Sequence, residues 1–173
     1  MIYYKINLFR NMCLKFSLVG CGRIAKRHSE LLGFNKIPNA KLHSVCDFVE
    51  ENAKNIGEKF GVKYFTDMHQ MIEKTNPDVV VVLTPSGNHA NDVISLAPHK
   101  KHIVVEKPMA LNIEDADKMI DACDSAGVRL YVVKQNRFNL PIVKLREAID
   151  QGRFGKLVLG TIRVRWCRDQ SYY

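Results

Sequence analysis

The 173-residue chain has no apolar run long enough to cross a bilayer, so no membrane partner is expected. Its opening stretch MIYYKINLFRN places Lys5 and Arg10 around only four residues, which leaves no room for the apolar centre of a secretory signal. The expected location is the cytoplasm. There is no C-x-x-C pair. The five cysteines, Cys13, Cys21, Cys46, Cys123 and Cys167, are odd in number and widely scattered, which speaks against both a disulfide framework and a zinc site; no metal site is expected. A net charge of +8 raises the question of nucleic acid. The basic residues form no terminal arm, no aromatic-basic RNA motif and no zinc-finger pattern, so no nucleic-acid partner is expected. Internal repeats and low-complexity linkers are also missing.

What is present is organised around Lys15 to His28, KFSLVGCGRIAKRH. An apolar, strand-like run stops at Gly20 and an amphipathic helical pattern starts after Gly22. Gly20 allows the tight turn, and Gly22, with Arg23 and Ile24, lets backbone approach a pyrophosphate. Ala25 stands where a third glycine is usual and lets the helix lie against the strands. The N–H groups at such a helix start, with the dipole behind them, attract anions. The bland alternative is a strand-to-helix turn with no ligand. A second strand, LHSVCD, ends on Asp47, 27 residues after Gly20. A carboxylate there accepts hydrogen bonds from adenosine ribose hydroxyls and repels a 2′-phosphate, which favours NAD over NADP. Its alternative use is as the cap of the helix that starts near Glu50.

Val79 to Leu83 is a continuous apolar run, the signature of a strand covered on both faces. It ends in Thr84-Pro85-Ser86-Gly87-Asn88-His89, a second strand-to-helix turn at the same edge as the glycine turn. Thr84, Pro85, Asn88 and His89 are therefore candidates to face a cofactor. An N-cap role for Asn88 and a solvent-facing His89 compete with that reading. The next strand, His102 to Glu106, is stopped by Lys107-Pro108, which presents an ammonium at a strand end beside a rigid proline. Glu106 and Lys107 join the candidate site, as does Gln135 in the loop after a sixth strand. Six strands alternating with helices predict a doubly wound parallel α/β domain over 15–138, after a tail over 1–14. From 139 the pattern changes to a linking helix opened by Pro141. Over Lys156 to Trp166, Val158, Ile162, Val164 and Trp166 alternate with Thr161, Arg163 and Arg165, which predicts one antiparallel strand with a buried face.

With these residues in view, the chain resembles the Gfo/Idh/MocA family of sugar dehydrogenases from about Lys15 to its end. The carrying motifs are VGCGRIAKRH, Asp47, TPSGNHA and, most specifically, EKPMAL at Glu106 to Leu111. The resemblance implies a Rossmann domain that binds NAD, with Lys107 beside the nicotinamide and the reacting substrate oxygen. It also implies an α+β substrate domain whose D-x-x-x-H pair completes the catalytic site. Residues 139–173 are then the start of that domain, with the remainder downstream and the parent a homo-oligomer through the downstream sheet. The closing RFGKLVLGTIRVRWCRDQSYY is similar to the branch acting on UDP-linked N-acetylamino-glucuronic acids in surface polysaccharide synthesis. That implies a nucleotide-sugar substrate, with Arg163, Arg165 and Arg168 available to its pyrophosphate and carboxylate. A non-catalytic NAD-binding regulator of the same fold is the alternative, and Lys107 separates the two, because a sensor has no need of a poised amine there.

Overall fold

The computed structural model describes residues 13–170; most of the expected N-terminal tail over 1–14 lies outside the described residues. The chain divides into two units, residues 13–134 and residues 135–170 of the described chain.

The first unit is a six-stranded, wholly parallel sheet in the order β3-β2-β1-β4-β5-β6. The strands are β1 (Leu14–Val19), β2 (Ala40–Cys46), β3 (Lys63–Phe65), β4 (Val79–Val82), β5 (His102–Val105) and β6 (Leu130–Val132). Between them run α1 (Ala25–Gly33), α2 (Glu50–Phe60), α3 (Met68–Thr75), α4 (His89–Leu96) and α5 (Ile113–Ser125), with one turn of 3-10 helix at Ala97–His99. The predicted alternation is what forms.

Successive side chains of a strand point to opposite faces, and both faces here are apolar and covered, which is why the strands read as continuous apolar runs. Leu18, Val45, Val81 and Leu83 bury on one side with Ala25, Leu32 and Ala53 of α1 and α2. Val19, Val80, Val82, Ile103 and Val105 bury on the other, with Met71, Val93, Leu96 and Met119 of α3, α4 and α5. Ala25 is fully buried in the first of these layers, the position where a larger side chain would push α1 off the sheet. Asn112 caps α5 by accepting the Asp115 N–H at 2.7 Å, and Asp67 caps α3 by accepting that of Gln70 at 2.8 Å.

From β1 the chain winds outward through β2 and β3, then crosses back to lay β4 on the other side of β1. The carboxyl ends of β1 and β4 therefore open a crevice where the winding reverses, the place where ligands bind in open α/β sheets. Phe16 pairs with Val79 and Val19 with Val82, so the glycine turn and the Thr84 turn leave the sheet side by side.

The second unit holds a 3-10 turn (Gln135–Phe138) and α6 (Leu140–Asp150). Pro141 sits in the first turn of α6, as expected, and Lys144–Glu147 and Arg146–Asp150 pair along its surface at 2.7 and 2.8 Å. The strand expected over Lys156 to Trp166 does not form. That stretch takes no regular structure, and Val158 and Ile162 are 88% and 91% exposed. The reason is physical: an antiparallel strand needs a ladder partner, and none of the described residues offers one, so the alternation alone cannot order it. No helix among the described residues is long and apolar enough to cross a membrane.

Candidate functional site

Four strand ends, those of β1, β2, β4 and β5, build the site. At the end of β1, Gly20 takes φ +96° and donates its N–H to Cys46 O at 2.8 Å. The next N–H, of Cys21, goes to Asp47 Oδ2 at 2.7 Å, so the end of β2 holds the glycine turn by two consecutive bonds. A Cβ on Gly20 would lie 2.7 Å from Leu83 C and 2.8 Å from Leu83 O and Thr84 N. The glycine therefore serves the close approach of the second turn as well as its own φ. Gly22 differs. It is exposed, with nothing within 4 Å of an added Cβ, and the open space lies at the start of α1, where the helix dipole favours an anion. Arg23 and Ile24 follow it, both exposed.

Asp47 is buried, and its second oxygen, Oδ1, accepts the Val49 N–H at 2.9 Å. The expected helix cap is thus replaced by a turn two residues long, with Val49 at the cap position of α2 and no side chain capping it. Each carboxylate oxygen takes one N–H and keeps a lone pair for a ribose hydroxyl. Beside it opens a cavity of about 260 Å³ lined by Gly20, Asp47, Phe48, Thr66, Met68 and His69 among others. Its walls are largely apolar, and of its two carboxylates Asp67 already caps α3, which leaves Asp47 to meet a nucleoside. Phe48, Met68 and His69 escaped the sequence reading, because nothing in their spacing marks them; only the sheet order brings the start of α3 to the end of β2. A larger hollow of about 480 Å³ flanks the edge strand β6, near Leu130 and Tyr131, and none of the candidate residues lines it.

At the end of β4, Thr84 donates its hydroxyl to Asp92 Oδ2 at 2.6 Å. Burial pushes the Asp92 carboxyl up from its ordinary range, and the Thr84 hydroxyl works against that. Pro85 is exposed, and Asn88 stands at the cap position of α4 without a side-chain capping bond. His89 requires a correction. It is 1% exposed, with Nδ1 2.7 Å from Pro108 O and Nε2 2.9 Å from Thr84 O, so it neither faces solvent nor offers a nitrogen to a cofactor. Glu106 is buried beside it: Oε1 meets His28 Nε2 at 2.9 Å and Oε2 accepts the Lys107 N–H at 3.0 Å, so its carboxylate supports the end of β5. Lys107 itself is exposed at the end of β5, before a cis Lys107–Pro108 bond, and no ion pair engages its ammonium among the described residues. Gln135 belongs to the second unit, as do Arg163, Arg165 and Arg168, all exposed; the Arg168 guanidinium lies 5.0 Å from the Trp166 ring centre.

Burial pushes the Cys21 and Cys46 thiols up to about 12, with the Asp47 charge adding to the effect, so their thiolates are scarce. Ellman's reagent at neutral pH should therefore modify the exposed Cys13 and Cys167 quickly in the native chain, and Cys21, Cys46 and Cys123 only after denaturation. Rapid loss of Cys21 thiol from the native protein would contradict the burial of the glycine turn.

Comparison with known proteins agrees with the fold. Residues 14–134 match the family model for the Gfo/Idh/MocA oxidoreductases, described as an oxidoreductase family with an NAD-binding Rossmann fold. A myo-inositol 2-dehydrogenase of Thermotoga maritima is 37% identical over 144 residues, 83% of this chain and 42% of that protein. Among solved structures, the WlbA dehydrogenase from Bordetella pertussis, in complex with NADH and UDP-GlcNAcA, superposes with a TM-score of 0.86 at 42% identity. That match covers 92% of this chain and 49% of that one. The scyllo-inositol dehydrogenase from Lactobacillus casei, with bound NAD(H) and scyllo-inositol, gives a TM-score of 0.76 at 27% identity, covering 82% and 42%. The chain spans less than half the length of each of these relatives.

Proposed function

The chain belongs to the Gfo/Idh/MocA family of NAD-binding Rossmann-fold oxidoreductases, and from that premise we propose that it forms the cofactor side of a nucleotide-sugar dehydrogenase. The proposed reaction oxidises a secondary hydroxyl of a UDP-linked N-acetylamino-glucuronic acid. One observation carries the choice of substrate: the likeness to the WlbA dehydrogenase reaches 42% identity and extends over 92% of this chain, past the Rossmann unit. A cyclic polyol is the second reading, supported by 37% identity to the Thermotoga maritima inositol dehydrogenase.

The residues present fit NAD. In this proposal the glycine turn and the start of α1 hold the pyrophosphate, and Asp47 accepts from the adenosine ribose. Phe48, Met68 and His69 wall the adenosine, while Thr84, Pro85 and Asn88 line the other half of the crevice. Bound NAD supplies a hydride acceptor. Lys107 supplies what the oxidation then needs from the protein, an amine at a strand end that takes or shares the proton of the substrate hydroxyl. Residues 139–170 lead into the substrate side, where Arg163, Arg165 and Arg168 would meet the acid and pyrophosphate.

Calorimetry with NAD and NADP tests the cofactor side. NAD should bind at least about tenfold more tightly, because a 2′-phosphate beside the buried Asp47 carboxylate faces like charge. Asp47→Ser should erase most of that preference and weaken NAD by about tenfold or more, since it removes a charge-assisted hydrogen-bond acceptor. Equal affinity for the two cofactors would overturn the role given to Asp47. Absorbance of NADH with UDP-sugar acids against inositols decides between the two substrate readings.

A further inference from the structure

Two histidines bond to the segment that carries Lys107, and neither has a place in the proposed reaction. His28 comes from α1, the helix that opens on the glycine turn. Its Nε2 lies 2.9 Å from Glu106 Oε1, and the other oxygen of that carboxylate holds the Lys107 N–H at 3.0 Å. His89 comes from the start of α4, the helix that opens on the Thr84 turn. Its two nitrogens meet Pro108 O at 2.7 Å and Thr84 O at 2.9 Å. A carbonyl oxygen only accepts, so His89 is the donor: a neutral ring carries one N–H and donates to Pro108 O or to Thr84 O according to its tautomer, and the imidazolium donates to both. The residues on either side of the lysine are thus tied to two different helices, each starting at a turn that lines the crevice.

We propose that His28 and His89 are positioning residues for Lys107. Together they fix its backbone against the glycine turn and the Thr84 turn before any ligand arrives. Preorganisation of this kind matters because a reacting group misplaced by an ångström loses much of its effect. The inference deepens the reading of Lys107 as the site's amine and rests on it for its functional meaning. The tie itself is a property of the chain alone. A purely structural histidine would contribute to stability and leave Lys107 indifferent to which nitrogen is lost.

Side-chain geometry separates the two. Gln Nε2 stands where His Nε2 stands, and Asn Nδ2 where His Nδ1 stands. In the 173-residue chain without NAD, amide exchange at Lys107 followed by NMR should speed up about tenfold in His28→Ala, the loss of one charged hydrogen bond behind Glu106, and return towards the parent rate in His28→Gln. With saturating NAD, acylation of Lys107 by acetic anhydride, read by mass spectrometry, should be slowed by the cofactor in the parent and in His89→Asn, which keeps the Pro108 bond. That protection should drop severalfold in His89→Gln, which keeps only the Thr84 bond, while the two His89 variants melt together. Unchanged exchange at Lys107 in His28→Ala, or equal protection in the two His89 variants, would overturn the proposal. Failure of NAD to protect Lys107 in the parent would instead count against the cofactor reading, with the exchange experiment still deciding the tie.

Discussion

Gly20→Ala should lower the melting temperature by roughly 6–12 °C and cost about 3 kcal/mol or more. Two effects add. The residue holds φ +96°, which an L side chain rarely adopts. Its Cβ would also fall 2.7–2.8 Å from backbone atoms of Leu83 and Thr84, which cannot rotate out of the way. Leu83 N donates to Val19 O at 2.7 Å, so relief of the clash means prying apart the paired ends of β1 and β4, the walls of the crevice. A domain of this size is stable by only about 5–15 kcal/mol, so the variant is left marginal. Gly22→Ala is the matched control. With open space around it, it should melt within about 1 °C of the parent, as surface substitutions do, yet lose NAD affinity because the added methyl meets the phosphate approach. Scanning calorimetry with NAD titration separates the two glycines. A Gly20→Ala protein that melts with the parent would show that the two turns are not in contact.

The sheet was legible because its signals are local. Val79 to Leu83 is a continuous apolar run of the kind a strand covered on both faces shows, and the structure buries every residue of it. The glycine turn was legible as a turn, but not the second duty of Gly20, because contact with Leu83 depends on β4 lying next to β1 across the crossover. The same limit hid His28 and His89. Each lies in a helical pattern where nothing local says that the ring will meet residues 78 and 19 positions further along the chain. Phe48, Met68 and His69 share a cavity only because β2 and β3 are neighbours. Alternation over Lys156 to Trp166 misled for the opposite reason: the local pattern is sound, but a strand is a pairwise object, and no described segment pairs with it.

Lys107→Met, assayed in turnover-competent protein with the nucleotide-sugar acid, should lower kcat by about 10³ while leaving the NAD dissociation constant within about twofold. The affinity should hold because the bonds that shape the Lys107 turn, from Glu106 and His89, run to backbone atoms and do not involve the ammonium. The rate should fall because oxidation of a secondary alcohol releases a hydroxyl proton as the hydride leaves, and a thioether cannot take it. Lys107 is suited to the task on three grounds: it stands at a strand end next to the winding reversal, it is exposed, and no ion pair among the described residues ties up its charge. Lys107→Arg sharpens the result, since it keeps the positive charge but stays protonated at any working pH. If proton handling is what the amine provides, the arginine variant should be almost as slow as methionine; if the charge merely attracts an acidic sugar, arginine should recover most of the rate and methionine should raise KM instead. A kcat loss of less than about tenfold in Lys107→Met would remove this lysine from the chemistry and leave the non-catalytic NAD-binding regulator as the better description of the chain.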